Sequence, residues 1–247
     1  MGRVAVVTGG ASGMGWSTVE QLAERGHGVA VLDINEEAAM QAAATLREAR
    51  AKAMGCAVDV SDRAAVDGAL GEVRAELGPI EIMITSAAIA PFHSFGEITP
   101  DSWQRVIGVN LTGTFHCLQA AIPDMVAAGW GRIVTIASSA AQIPTPNHAH
   151  YAASKGGVVT LTRAVAYEYA KSGITANVIA PHMIDTPMFR QARAEVGDRT
   201  GDGGASRIPV GRLGTGDDIA ATCMYLCSDD AGFITGQTFG VNGGAIP

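Results

Sequence analysis

The sequence predicts an α/β fold, a doubly wound Rossmann-type sheet of seven parallel strands with helices on both faces. Three observations predict it. Short β-branched runs alternate with longer helical stretches along the whole chain, the pattern that successive βαβ units leave in a sequence. The strand runs are continuously apolar rather than alternating, as expected where helices cover both faces of a sheet. The first strand also runs straight into a glycine-rich turn and then a helix. Right-handed crossovers between such units wind the sheet in both directions.

The elements follow in order. Residues 4–7 are the first strand and 13–25 the first helix. Residues 29–32 are the second strand, with a helix over 36–50. The third strand is 53–58, followed by a helix over 62–77, and the fourth is 80–84. A long helical region covers 102–128, with Pro123 expected to bend or divide it. The fifth strand is 133–137, and 151–170 is strongly helical. The sixth strand is 175–179, then a helix over 217–227 and a seventh strand over 237–241. One segment departs from the alternation. Residues 183–208 are polar and rich in glycine near their end (Gly201, Gly203, Gly204), which reads as a mobile substrate-binding loop. No linker or internal repeat divides the chain, so 1–247 is expected to form one domain.

Composition narrows the function. Of 247 residues 47% are hydrophobic and only 17% charged, which excludes a disordered chain and favours much buried surface, subunit interfaces included. A net charge of −7 argues against a general nucleic-acid or anionic-membrane binder. No apolar run reaches the roughly 20 residues of a membrane span. No N-terminal signal is evident, and a cytoplasmic protein is expected. Cys56, Cys117, Cys223 and Cys227 lack the spacing of a metal site and read as buried small hydrophobes. The 31 glycines are about twice the usual share and mark places where backbone must come close to something.

The first such place is the turn after strand one, where Thr8 to Gly15 reads Thr-Gly-Gly-Ala-Ser-Gly-Met-Gly. Glycines there let the backbone turn tightly beside a pyrophosphate. The following helix N-terminus offers unpaired N–H groups and the positive end of its dipole. Gly9, Ser12, Gly13, Met14 and Gly15 are the candidate phosphate-side residues. The second strand ends in Asp33, beside Ile34, where a carboxylate can bond both hydroxyls of an adenosine ribose. A 2′-phosphate at ~4 Å would be repelled by about 1–4 kcal/mol. That is a roughly 5- to 1000-fold preference for NAD(H) over NADP(H). The alternative is that Asp33 caps the next helix.

Further on, Tyr151 and Lys155 stand at i and i+4 on one helical face. An ammonium near the phenol lowers its pKa, and such a Tyr can act as general base or acid for an alcohol–ketone couple. Ser138, at the end of the fifth strand, is placed to hold a substrate oxygen beside it. Asn110 lies inside the long helical region, where an Asn is unfavourable without a task such as holding water.

On these motifs the chain resembles the short-chain dehydrogenase/reductase family of about 250 residues. The likeness runs over the whole sequence: Thr8 to Gly15, Asp59 and Val60 after the third strand, Asn110, Ser138, Tyr151, Lys155, and the tail from Ile234 to Gly244. The resemblance implies that Asp59 and Val60 contact the adenine, and that Ser86 and Ala87 border the cofactor. It implies that Lys155 holds the nicotinamide ribose and tunes Tyr151, and that Asn110 anchors a proton-relay water. It also implies that backbone groups at Ile184 and the Thr186 hydroxyl grip the carboxamide, and that the protein is a homotetramer. Two departures stand out. Thr85-Ser86-Ala87-Ala88 replaces the family's Asn-Asn-Ala-Gly, which puts local support of the cofactor in doubt, and Pro181-His182 replaces Pro-Gly.

The expected function is NAD-dependent interconversion of a moderately hydrophobic secondary alcohol and its ketone, without metal. Reduction of a 3-oxoacyl thioester is the alternative, and a non-catalytic NAD sensor stands behind it. Ala140, Gln142, His148, His182, Met183 and Met188 are the candidate substrate residues, with His148 and His150 also readable as solvated loop residues. The helix carrying Tyr151 is apolar on more than one face (Val158, Val159, Leu161, Val165), in keeping with a subunit interface.

Overall fold

In a computed structural model, which describes residues 2–197 and 202–246, seven strands pair in parallel. They are β1 (Val4–Thr8), β2 (Gly28–Asp33), β3 (Ala53–Ala57), β4 (Ile82–Thr85), β5 (Gly131–Ile136), β6 (Ile174–Pro181) and β7 (Thr238–Val241), in the order β3-β2-β1-β4-β5-β6-β7. The helices are α1 (Gly13–Glu24), α2 (Glu36–Glu48), α3 (Arg63–Glu76), α4 (Pro100–Ile107), α5 (Gly113–Ala128), α6 (Ala149–Tyr169), α7 (Pro187–Val196) and α8 (Gly216–Leu226).

Strand alternation sorts the core into two layers. Val4 and Val6 of β1 face Leu70, Leu118 and Ala166 of α3, α5 and α6. Ala5 and Val7 face Val19, Leu22 and Ile219 of α1 and α8. Both faces of the sheet are buried, which is why the strands read as unbroken apolar runs. Local chemistry sets the helix starts. Asn35 Oδ1 accepts from Ala38 N to cap α2, so the next-helix cap is Asn35 and not Asp33. Asp62 caps α3, and Thr215 with Asp218 forms a capping box on α8.

Two expectations need correction. Pro123 does not divide the long helical region; it sits inside α5, with exposed Gln119 on the turn before it. The break lies at Gly108–Thr112, a wide π-type turn between α4 and α5 with Asn110 at its centre. The segment 183–208, expected as a loop, carries α7, capped by Thr186, and a short 3-10 turn at Ala205–Arg207. Gly201 of that expectation lies outside the described residues.

All four cysteines are buried and unpaired. Burial pushes the Cys117 and Cys223 thiols up to about 12, and burial with the nearby Glu72 carboxylate pushes Cys56 to about 11. A thiol reagent at pH 8 is therefore expected to react slowly with the native protein and with all four thiols at once in denaturant. Fast labelling of the native chain would contradict this burial. Among the described residues no group of His, Cys, Asp and Glu is placed to hold a metal. No helix among them is long and apolar enough to cross a membrane.

Candidate active site

The strand order reverses at β1, which pairs with β2 on one side and β4 on the other. The loops leaving Thr8 and Thr85 therefore part, and a crevice opens beyond the strand C-termini. It holds a cavity of about 370 Å³. Gly9, Ser12, Gly13 and Met14 form one wall. Gly9 has φ +63°, and a Cβ there would lie 2.9 Å from the backbone of Ala87. Ser12 precedes α1 without a side-chain cap bond, and the first turn of α1 carries no acidic residue. Its amides thus remain available to an anion, which fits a pyrophosphate.

Gly15 differs from its expected placement. It is buried behind the cavity, where a Cβ would run into the carbonyl of Gly9. Only glycine lets α1 pack this closely on the turn. Gly15→Ala is expected to destabilise the fold by about 1–3 kcal/mol and to weaken NADH binding, read by urea unfolding and fluorescence titration.

On the opposite wall Asp33 is held by two backbone donors, Ala11 N at 3.2 Å and Asn35 N at 3.1 Å. Both carboxylate oxygens are thereby oriented. Ile34 at the rim, with Asp59 and Val60 after β3, completes that end. Asp59 Oδ1 accepts from Ser61 N and Oγ, which fixes its loop. Ser86 and Ala87 line the floor. Their amides donate to Thr8 Oγ1 at 3.2 and 3.3 Å, so the main chain of this loop is anchored whatever side chain stands at 86. The departure at Thr85 to Ala88 leaves this main-chain anchoring in place.

Asn110 is fully buried and its carboxamide is occupied. Oδ1 accepts from Ile89 N, and Nδ2 donates to Ile89 O and to Ser154 Oγ, at 2.9, 2.9 and 3.0 Å. The carboxamide forms a clasp that ties the loop after β4 to α6. Its backbone carbonyl accepts from Thr114 Oγ1.

Tyr151 and Lys155 project from the first turns of α6. Lys155 is 3% exposed, its Nζ donates to Ile136 O at 2.7 Å, and it lies 5.7 Å from the Tyr151 ring centroid. Burial lowers this ammonium to about 8. Ser138, just beyond β5, faces the Tyr151 phenol and favours its ionised form. The net direction at Tyr151 is nevertheless upward, because burial outweighs Ser138. The expected lysine-driven depression does not prevail, because desolvation of the phenolate is the larger effect.

A second cavity, of about 290 Å³, opens where Ser138 and Tyr151 meet. Of the candidate substrate residues, Ala140, His148, His182, Met183 and Met188 line it. Gln142 does not: it is exposed and turned away. His148 and His150 are not solvated either, being 8% and 0% exposed at the start of α6, with the His148 ring 5.3 Å from that of Tyr151. Met14, Thr186 and Met188 border both cavities. Thr186 Oγ1 accepts from Phe189 N, which leaves its proton to donate elsewhere. Ile184 lines the second cavity, and its bridge to Gly214 uses the flanking Asp185 N and Met183 O rather than its own groups. Ala90, Phe92, Thr145 and Arg193 also line this cavity and were not singled out from sequence. Ala90 and Phe92 follow the switch-point strand β4, which is the signal that would have pointed to them.

Comparison with known proteins agrees with this architecture. The family model described as enoyl-(acyl carrier protein) reductase matches residues 9–245. The chain is 40% identical over 245 residues to the (2S)-[(R)-hydroxy(phenyl)methyl]succinyl-CoA dehydrogenase subunit BbsD of Thauera aromatica, covering 98% of this chain and 96% of that one. It is 39% identical over 244 residues to a 2-dehydro-3-deoxy-L-rhamnonate dehydrogenase (NAD(+)) of a Sphingomonas species, covering 98% and 95%. A gluconate 5-dehydrogenase from Burkholderia cenocepacia, solved with NADP and tartrate, superposes with a TM-score of 0.92 at 35% identity, covering 99% and 95%. With its crevice at the β1–β4 switch point and Tyr151 and Lys155 on α6, the chain belongs to the short-chain dehydrogenase/reductase family.

Proposed function

We propose that the protein interconverts a moderately hydrophobic secondary alcohol and its ketone by hydride transfer, with NAD(H) as cofactor. The observation that carries this reading is that Ser138 and Tyr151, with Lys155 buried 5.7 Å from the phenol ring, line an apolar cavity that shares Met14, Thr186 and Met188 with a cradle suited to a dinucleotide. When bound, the nicotinamide supplies the hydride donor or acceptor. The remaining work falls to the chain. Ser138 Oγ and the Tyr151 phenol hold the substrate oxygen. With burial keeping the phenol protonated, Tyr151 is poised to give its proton to a ketone oxygen; in the other direction, as phenolate, it takes the hydroxyl proton. Lys155, fixed by the Ile136 carbonyl, places positive charge beside the phenolate as it forms. The Asn110 clasp holds α6 against the loop after β4.

Cofactor choice rests on Asp33. Its anchored carboxylate sits where the adenosine ribose would lie, and a 2′-phosphate would meet a like charge. One relative is named for NAD(+) and one structure holds NADP, so both arms belong in the assay. Purified protein with a panel of secondary alcohols should reduce NAD to NADH, and NADP to NADPH with a lower kcat/KM. Acetoacetyl-CoA with NADH or NADPH tests the thioester alternative, which is supported by 40% identity to an acetoacetyl-CoA reductase of Rhizobium meliloti. No turnover of any substrate with NAD bound would sink the enzyme reading in favour of a sensor. A homotetramer is part of the same proposal: Val159, Leu161 and Val165 on α6 are only half-buried and Phe115 on α5 is 41% exposed. A monomer in sedimentation would overturn it.

A further inference from the structure

One polar pair in the second cavity has no part in the scheme above. His182 follows Pro181 at the end of β6, and its Nδ1 lies 2.9 Å from Ser139 Oγ. Ser139 is buried next to Ser138, and both line the cavity that Tyr151 enters. The main chain of His182 is tied to β7 through Val241 O. The ring is therefore positioned from two sides. Burial lowers the His182 pKa, which keeps the imidazole neutral at neutral pH. With Nδ1 engaged by Ser139, Nε2 makes no hydrogen bond to any described residue. The wall around it is apolar, formed by Phe92, Ile143, Met183, Met188 and Phe189. A hydrogen-bonding group set in such a wall discriminates strongly between ligands that satisfy it and ligands that leave it bare.

We propose that His182, oriented by Ser139, reads a second hydroxyl group on the substrate, near the carbinol carbon held between Ser138 and Tyr151. This deepens the dehydrogenase reading and rests on it: the preferred substrates are diols and hydroxyketones with an apolar remainder. A hydroxyl is the group that fits, because a neutral imidazole has one donor and one acceptor nitrogen. If Ser139 donates to Nδ1, Nε2–H donates to the substrate oxygen; in the other tautomer, Nε2 accepts the substrate proton. A hydroxyl satisfies either arrangement, whereas a carbonyl satisfies only the first. A carboxylate calls for charge, and the cation lining this cavity is Arg193 on α7 rather than His182.

The test uses three related probes with NAD: cyclohexanol, cyclohexane-1,2-diol and 2-hydroxycyclohexanecarboxylate. The wild-type kcat/KM for the diol should exceed that for cyclohexanol by about tenfold or more, the discrimination expected of one satisfied buried hydrogen bond. That ratio should fall about tenfold in His182→Gly, fall in Ser139→Ala, and be kept in part by His182→Gln, whose amide also donates and accepts. Scoring each variant by the ratio cancels any loss of folded protein. A wild type with no diol preference, a preference that survives both His182→Gly and Ser139→Ala, or a preference for the carboxylate overturns the proposal. In each of those cases turnover itself still supports the dehydrogenase reading. Failure of the wild type to oxidise any probe or panel alcohol, with NADH bound, strikes that reading and the proposal together.

Discussion

Tyr151→Phe is expected to lower kcat by a factor of about 10²–10⁴ while NADH binding is largely retained. The physical reason is that the substitution removes one oxygen and little else. The ring keeps its place beside His148 and below the second cavity. Lys155 keeps its bond to Ile136 O, and the glycine turn, Asp33 and the loop at Ser86 are untouched. What is lost is the group proposed to exchange a proton with the substrate oxygen. Ser138 cannot take over, since an alcohol hydroxyl is far less acidic than a phenol and Ser138 Oγ already accepts from Ala140 N. Steady-state kinetics with a fluorescence titration of NADH checks both halves. Full activity in the Phe variant would refute the assignment of Tyr151, and loss of NADH binding would mean that the phenol shapes the cofactor cavity instead.

Asp33→Asn is expected to raise the ratio of kcat/KM with NADP to kcat/KM with NAD by roughly 5- to 1000-fold. Asn is the informative replacement because it removes the charge and keeps an oxygen that can accept from Ala11 N or Asn35 N. Replacement by Ala would free both amides and loosen the turn, so that charge and geometry would change together. The width of the range reflects the local dielectric, since Asp33 is half-buried at the edge of the cavity. Kinetics with both cofactors decides the matter. A wild-type preference for NADP, or a ratio unmoved by Asp33→Asn, would overturn the carboxylate argument.

Much of the fold and part of the site were legible in the residues because they depend on short-range rules. Apolar runs separated by helical stretches announce a parallel sheet. Glycines between Thr8 and Gly15 announce a close approach of backbone, and Tyr151 and Lys155 share a face by helix geometry alone. Other features follow from contacts between residues far apart in the chain. Gly15 reads like a ligand contact but serves packing, because its neighbour is the Gly9 carbonyl on the turn it must approach. Asn110 reads as a residue kept in a helix for a task, but the clasp its carboxamide makes with Ile89 and Ser154, from two other segments, is visible only in the fold. Gln142, one turn past Ser138, falls outside the cavity, while Phe92, far away in sequence, falls inside it.

The sequence by itself determined the fold class, the order of elements, the glycine turn of the cradle and the shared helical face of Tyr151 and Lys155, since each is a statement about periodicity, backbone freedom or neighbours on one helix. Tertiary structure alone decided the protonation balance and the substrate wall. Burial of Tyr151 outweighs the help of Ser138, and burial brings Lys155 down to about 8, because desolvation depends on every atom packed around a charge. His182 reaches Ser139 only because β5 and β6 lie side by side in the sheet.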